Sequence, residues 1–171
     1  LESITNTDRP GLQALIKNSG LTGKTISSTN VSFTIVPRIN AVGRLGLSEK
    51  SVSLLLTEDY DEADEISSQL CGDNSERQEI ERDILEKIDE IIRRSPSLVN
   101  DKIIVIDGEN WHQGVIGLIA AKVKEAYGKP AIVISKLGDV AKGSGRSVEG
   151  FPLCDAVFAC SDLLTHKGGH P

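Results

Sequence analysis

Residues 102–107 read KIIVID, a short and nearly continuous apolar run that is typical of a buried strand. A polar loop, GENWHQG at 108–114, follows it, and VIGLIAAKVKEAYG then has the pattern of an amphipathic helix that ends at Gly128. PAIVIS at 130–135 predicts a second buried strand, DVAKGSGRS at 139–147 a third, and residues 152–169 a second helix. This order predicts a compact α/β domain with a small mixed sheet.

A long helix is predicted upstream of this domain, from about Tyr60 to Arg94. Isoleucines recur along it at spacings of four and three: Ile80, Ile84, Ile88 and Ile91. The helix-poor cluster CGDNS predicts a kink or a break near Gly72. About 30 helical residues extend roughly 45 Å. Because a small domain does not need such a length internally, we interpret the helix as a connector between two lobes.

Shorter helices are predicted in the N-terminal part. Asp8 is interpreted as the N-cap of a helix that has Pro10 in its first turn and stops at Gly20. Ser48 is predicted to cap another helix through EKSVSLLLT. Between them, NVSFTIV alternates like a strand, whereas the preceding SSTN would equally cap a helix, so the pattern leaves both interpretations open.

The composition indicates a globular protein of the reducing cytoplasm. Of 171 residues, 39% are hydrophobic, which suffices for an ordinary core, and no apolar run approaches the roughly 20 residues that a membrane span needs. The three cysteines have no CxxC spacing, which argues against a disulfide framework or a zinc knuckle. The lack of methionine and the ending at GGHP lead us to expect a piece of a longer protein.

The formal net charge of −6 does not favour nonspecific binding to nucleic acid, so the position of the cations matters. Much of the acid is concentrated between Glu58 and Glu90. The stretch GSGRSVEGF at 143–151 instead places an arginine and two serines among three glycines. Its fork-shaped cation and hydroxyls would suit a phosphate; the alternative is a tight turn with a solvated arginine, which this stretch alone favours.

Three other stretches hold polar groups in unusual settings. PRINAVGRLG either grips a phosphodiester through its arginines and asparagine or is a helix end that faces solvent. DGENWHQGVIG either places backbone N–H groups and the face of Trp111 against a nucleotide, or buries Trp111 at the domain edge. HKGGHP either bends around a ligand or is a helix C-cap.

No metal site is predicted within the chain. Its histidines, His112, His166 and His170, lack companion carboxylates at ligand spacing. No Gly-x-Ser-x-Gly elbow follows a strand and opens a helix, and GSGRS fails the Walker pattern. The sequence therefore indicates a binder of phosphates that lacks a reaction centre of its own.

Taken in order along the chain, PRINAVGRLG, LLLT with an acidic helix, WHQGVIGLIAAKV, KGSGRSVEGFPLCDAVFACSDLL and GGHP resemble the RecJ family of single-strand-specific exonucleases. The resemblance runs over nearly the whole chain. It implies an end of the DHH lobe at 1–57, a connector helix at 58–96 and a DHH-associated substrate-binding domain at 97–171. In this family, Mn²⁺ or Mg²⁺ is held by the DHH lobe, and the resemblance implies that the metal-binding part of that lobe lies outside the chain.

The resemblance also implies roles for individual residues. Ser144 and Arg146 match positions expected to hold a terminal 5′ phosphate, with Arg44, in preference to Arg38, converging on them. His170 matches a residue expected to act near the metals, and we take it as the catalytic candidate. The remaining nucleic-acid candidates are Asn40, His112, Gly145, Gly168 and Gly169.

The function that the resemblance implies is the clamping of single-stranded DNA in a 5′→3′ exonuclease of DNA repair and recombination. The chain alone is expected to be inactive, and single-strand-binding protein or a helicase are expected partners of the whole protein. One alternative is an oligonucleotide or cyclic-dinucleotide phosphodiesterase of the wider DHH superfamily. Another is a non-catalytic interaction module.

Overall fold

A computed structural model describes residues 1–45 and 49–169. The chain divides into two compact units, Leu1–Glu79, here called unit 1, and Ile80–Pro171, here called unit 2. No helix within the described residues is long and apolar enough to cross a membrane.

Unit 1 is helical. Its helices are α1 (Glu2–Thr5), α2 (Pro10–Asn18), α3 (Ser28–Asn30), α4 (Val36–Leu45), α5 (Glu49–Leu56) and the first part of α6 (Tyr60–Arg94), and a π-helical turn at Val31–Ile35 joins α3 to α4. Buried aliphatic side chains from these elements and from the connection between α2 and α3 form one core: Ala14, Leu15, Leu21, Ile26, Ile35, Val42, Leu54, Ala63 and Leu70. The scarcity of aromatic residues thus leaves an interior built from branched aliphatic packing.

The start of α2 differs from the prediction. Arg9, not Asp8, occupies the N-cap position, and it makes no side-chain cap hydrogen bond. Pro10 takes the first helical position because its fixed φ suits that position and its missing N–H has no partner to lose there. A residue before proline is held extended, and Arg9 accordingly has φ −75° and ψ 121°. Gly20, at φ +70°, follows the helix end as expected.

The stretch NVSFTIV, for which both interpretations stayed open, is helical. Ser27 forms a capping box: its side-chain oxygen accepts from the Asn30 N–H at 3.1 Å, and the Asn30 side chain accepts from the Ser27 N–H at 3.0 Å. The alternating pattern is misleading because the chain buries Ile35 on a helical face and leaves Phe33 exposed. The predicted cap Ser48 lies outside the described residues.

The long helix α6 has the predicted bounds and is not broken near Gly72. It is continuous from Tyr60 to Arg94 through Gly72. A glycine costs a helix only about 1 kcal/mol. Packing on both sides outweighs that cost, since Leu70 is buried in the core of unit 1 and Ile84 in the core of unit 2.

Unit 2 contains the predicted α/β domain. After a 3₁₀ turn at Pro96–Val99, its elements are β1 (Ile104–Glu109), α7 (Ile116–Tyr127), β2 (Ala131–Leu137), β3 (Val140–Arg146) and α8 (Leu153–Ala159). The strands form one sheet in the order β1-β2-β3, with β1 parallel and β3 antiparallel to β2. The prediction of a small mixed sheet is therefore confirmed.

The core of unit 2 lies between one face of this sheet and the helices α6 and α7. Strand residues Ile104, Ile106 and Val133 are buried together with Ile119 and Val123 of α7. The alternation along β1 and β2 buries every second residue on this face, as a half-covered sheet requires. The sheet and α7 thereby fix the loop residues 110–115 and the end of β3 in position relative to each other.

The helix predicted at 152–169 is shorter in the structure. It ends at Ala159 and is followed by a 3₁₀ turn at Ser161–Leu163 and by a segment without regular structure as far as Gly169. The segment instead lies back on α8, with the Lys167 ammonium 5.6 Å from the centre of the Phe158 ring.

Candidate functional site

Residues 143–146 of the stretch GSGRSVEGF form the end of β3. The turn that the alternative interpretation predicted follows the strand, where the Phe151 N–H donates to the Val148 carbonyl and Gly150 has φ +81°.

Successive side chains of a strand point to opposite faces of the sheet, so residues 143–146 of this stretch fall into two sets. Because Val133 pairs with Ser144 and Ala131 with Arg146, these two polar residues share the face of the sheet that carries the buried core. Gly145 lies on the opposite face, where an added Cβ would be 2.9 Å from Leu153 of α8.

Ser144 and Arg146 meet the first turn of α7 at Gly117. A Cβ atom built on Gly117 would be 3.0 Å from Ser144 Oγ and 3.2 Å from Arg146 Nη2. Both side-chain atoms therefore lie close to the same point beside the first turn of α7. A hydroxyl and one arm of a guanidinium thus lie side by side at the beginning of a 12-residue helix.

The beginning of α7 is an electropositive environment. Its N-cap residue is Val115, whose side chain has no acceptor for the first-turn amides, and the turn Ile116–Ile119 contains no carboxylate. The aligned peptide dipoles of such a helix end attract an anion. The carbonyls of His112 and Val115 accept hydrogen bonds from the amides of Ile116, Leu118 and Ile119. The helix therefore contributes chiefly its dipole, and direct contacts to an anion fall to Ser144 and Arg146.

The guanidinium of Arg146 is oriented by its own strand. Its Nη1 donates to the carbonyl of Gly145 at 2.7 Å, while Nη2 is the atom next to Gly117. Arg146 is exposed and Ser144 half-buried, so the pair is accessible from solvent. A charged fork held in this way can bind a phosphate through two parallel hydrogen bonds.

The other face of the sheet has the opposite character. Asp107 and Glu109 extend from β1 on that face, and Lys136 forms an ion pair with Asp107. The hydrogen bond to the Asp107 carboxylate raises the pKa of Lys136, and the charge of Glu109, 4.0 Å away, adds to the effect. A phosphate would therefore be favoured on the side of Ser144 and Arg146.

The loop that leads into α7 is fixed by Trp111. The side chain is buried, with 5% of the residue exposed, and the Ser135 hydroxyl donates to the Trp111 carbonyl at 2.5 Å. Of the two interpretations, burial at the domain edge is correct and a face open to a stacking base is not. Gly108 lies directly against the indole ring, in space that a Cβ would fill.

The candidate His112 has a local structural role in this loop. Its Nδ1 accepts a hydrogen bond from the Gly114 N–H at 3.2 Å, and its carbonyl accepts one from the Val115 N–H at 2.9 Å. The side chain is half-buried. These bonds shape the entry into α7, and a contact of His112 with DNA stays a prediction.

The candidates of PRINAVGRLG lie on α4 in unit 1. Arg38 Nη1 donates to the Thr34 carbonyl at 2.6 Å, which ties this guanidinium to the π-helical turn that precedes α4. Asn40 is exposed, and Arg44 is half-buried in the last turn of α4. The convergence of Arg44 with Ser144 and Arg146 stays a prediction.

The glycine candidates of the last motif lie beside α8. Gly168 and Gly169 are exposed, and an added Cβ on Gly169 would be 2.7 Å from the Cys154 sulfur. Gly169 thus packs closely on α8. The catalytic candidate His170 lies outside the described residues.

Gly117 is a site residue that the sequence analysis did not single out. A signal was present, because a glycine stands in the first turn of an amphipathic helix where alanine would be more favourable. That signal does not identify a neighbour. The proximity of Ser144 and Arg146 arises only when β3 pairs with β2.

The described residues do not fit a divalent metal ion. Within 1–45 and 49–169, no three His, Cys, Asp or Glu side chains come close enough together to hold one. A magnesium or manganese site needs several oxygen ligands around one point. No chemical step is therefore derived through a metal on these residues.

Comparison with known protein families first identifies the class of domain to which most of unit 2 is similar. Residues 100–171 match the model of the DHHA1 domain, which accounts for most of unit 2. The sheet, α7 and the pair Ser144 and Arg146 all lie within this match.

Relatives that match nearly the whole chain point to one family of proteins. The chain is 36% identical over 173 residues to the single-stranded-DNA-specific exonuclease RecJ of Bacillus subtilis, covering 100% of this chain and 22% of that protein. It is 34% identical over 170 residues to the protein of that name from Escherichia coli, covering 95% and 29%. Over the region that it spans, the chain belongs to the RecJ family.

Solved structures agree with this assignment. RecJ of Thermus thermophilus in complex with Mn²⁺ superposes with a TM-score of 0.83 at 33% identity, covering 98% of this chain and 24% of that one. An exonuclease RecJ bound to manganese gives a TM-score of 0.82 at 34% identity, covering 98% and 40%. The chain spans less than a third of the length of the curated relatives it matches.

Proposed function

We propose that this chain holds the 5′-phosphorylated end of single-stranded DNA within a 5′→3′ exonuclease. The observation that carries the proposal is the meeting of Ser144 Oγ and Arg146 Nη2 at the first turn of α7. The strand end would be held by its phosphate, so that the neighbouring phosphodiester is presented for hydrolysis elsewhere in the protein.

The chemistry of the pair supports a terminal phosphate. Arg146 supplies a permanent charge with donors on one plane, and Ser144 supplies a hydroxyl that can donate to a further oxygen. A terminal phosphate carries more negative charge than an internal phosphodiester and therefore gains more from both groups and from the helix dipole.

Contacts of Ser144 and Arg146 with a phosphate would not depend on the base sequence of the DNA. Hydrogen bonds to phosphate oxygens fix the position of a nucleic acid but do not read its bases. The one tryptophan of the chain is buried in unit 2 and offers no open stacking face. The proposed clamp therefore binds any sequence that has a free, phosphorylated 5′ end.

The hydrolytic part of the proposal is placed outside the described residues. The relatives solved with Mn²⁺ or Mg²⁺ support the use of a divalent ion in the family. We propose that a DHH lobe holds it, that residues 1–57 belong to that lobe, and that 58–96 connect it to the domain at 97–171. Roles in repair and recombination, the protein partners and a cytoplasmic location stay predictions.

The test is the affinity of the 171-residue chain for oligothymidylates with a 5′ phosphate or a 5′ hydroxyl, measured by fluorescence anisotropy across a salt series. We expect tighter binding of the phosphorylated strand and weaker binding as salt rises. Arg146→Ala should lower the affinity for the phosphorylated strand by about tenfold or more, since a hydrogen bond to a charged group contributes about 1.5–3 kcal/mol.

Arg93→Ala is the matched control, because it removes the same charge from an exposed position in the last turn of α6. It should leave the preference for the phosphorylated strand unchanged. Equal affinity of the wild-type chain for both strands would refute the proposed clamp. Retention of the preference by Arg146→Ala would remove Arg146 from it.

A further inference from the structure

Gly117 lies where α7 and β3 come closest to the candidate site. The point that its Cβ would occupy is 3.0 Å from Ser144 Oγ, 3.2 Å from Arg146 Nη2 and 3.8 Å from Ser144 Cβ. Ordinary contacts of a carbon atom lie near about 3.5–4.0 Å. A methyl group at this position would therefore displace the Ser144 hydroxyl and the Arg146 guanidinium, whereas the backbone of β3 would not have to move.

The displacement would act on the functional atoms themselves. Arg146 is exposed and can yield, but its Nη1 is bound to the Gly145 carbonyl at 2.7 Å, so a shift of Nη2 changes the orientation of the fork. Moving Nη2 away from α7 would either rotate the fork or break that bond. Ser144 can rotate its hydroxyl, but only away from the helix end whose dipole favours an anion.

We propose that Gly117 is a positioning residue that sets the preference of the site for a terminal phosphate. Its missing side chain lets the serine hydroxyl and the arginine fork lie against the first turn of α7. This inference rests on the proposed function of Ser144 and Arg146. Glycine is otherwise an unfavourable choice inside a helix, so the position gains nothing in helix stability from it.

The experiment compares Gly117→Ala with Gly72→Ala in the 171-residue chain. Both changes add one methyl group to a helix, but a Cβ on Gly72 has nothing within 4 Å. The readout is the ratio of affinities for oligothymidylates with a 5′ phosphate and a 5′ hydroxyl. We expect Gly117→Ala to reduce this ratio by at least about threefold, since it weakens charge-assisted bonds without removing them. Gly72→Ala should keep the wild-type ratio.

Two outcomes separate the inference from the proposed function. If the wild-type chain prefers the phosphorylated strand and Gly117→Ala retains the full preference, the role of Gly117 is refuted and the clamp stands. If the wild-type chain shows no preference, the clamp is refuted and the inference falls with it.

A second variant tests the inference if Gly117→Ala destabilises the fold. Ser144→Ala removes the closest atom, so the double variant Gly117→Ala/Ser144→Ala should unfold at a higher temperature than Gly117→Ala alone. Failure of this substitution to restore the unfolding temperature would show that the close contact of Gly117 with Ser144 is not what matters, and would overturn the inference.

Discussion

At the scale of single residues, Gly108 and Trp111 determine where α7 begins. The indole ring lies on Gly108 at the end of β1, and the Ser135 hydroxyl holds the Trp111 carbonyl from β2. The loop between β1 and α7 is thus attached to both strands. Its position fixes the first turn of α7, against which Ser144 and Arg146 lie.

We expect Gly108→Ala to destabilise unit 2 by about 2–4 kcal/mol, because overpacking in a closed core costs energy and the ring has to move. The free energy of unfolding can be measured by urea denaturation. Trp111 is the only tryptophan of the 171 residues, so its emission reports the ring directly and should shift towards longer wavelength. A wild-type midpoint and emission spectrum would contradict this account of Gly108.

The sequence alone supports part of the candidate site at this scale. The stretch GSGRSVEGF by itself favoured a solvated arginine, and Ser144 and Arg146 were singled out only by the order of motifs that resembles the RecJ family. Gly117 and the burial of Trp111 could not be predicted, since both depend on which residues the folded sheet brings next to them. Local sequence identifies donors but not the surface on which they rest.

At the scale of elements, the second half of α6 and the helix α7 are joined by an ion pair. Glu81 of α6 is buried, with 7% of its side chain exposed, and accepts from Lys122 of α7, which is about half exposed. A buried carboxylate needs partners because its removal from water is costly. Lys122 therefore stabilises the packing of these two helices in unit 2.

Lys122→Met keeps the length of the side chain and removes the donor. We expect it to lower the free energy of unfolding by about 1–3 kcal/mol, the cost of removing one partner from a buried polar group. The double variant Glu81→Leu/Lys122→Met should recover much of the loss, because it also removes the buried charge. Equal stability of wild type and Lys122→Met in urea denaturation would show that this ion pair does not contribute.

The elements were predictable where one local rule dominates. The isoleucine spacing indicated the length of α6, and the apolar runs indicated the positions of the strands, because each pattern reports a face that must be buried. The helix is not broken at Gly72, and the predictions of the cap at Asp8 and of the length of α8 were wrong. In each case, tertiary packing or a neighbouring proline or glycine outweighed the propensity used for the prediction.

At the scale of the whole molecule, two compact units each have a core of their own, and the chain corresponds to less than a third of the curated RecJ relatives. The order of motifs along the chain identified the family, since the combination is specific although each motif alone is weak. A net charge of −6 does not oppose the proposed function, because Arg146 provides a local positive charge at the candidate site.

The central claim is that Ser144, Arg146 and the first turn of α7 form the binding site for a 5′ phosphate. The most direct measurement is an NMR titration of the ¹⁵N-labelled 171-residue chain with an oligothymidylate that carries either a 5′ phosphate or a 5′ hydroxyl. The account predicts that the amide signals of Gly117, Ser144 and Arg146 shift with the phosphorylated strand and much less with the other. Binding of the phosphorylated strand that leaves these three signals unmoved, or moves them equally with both strands, would contradict the account.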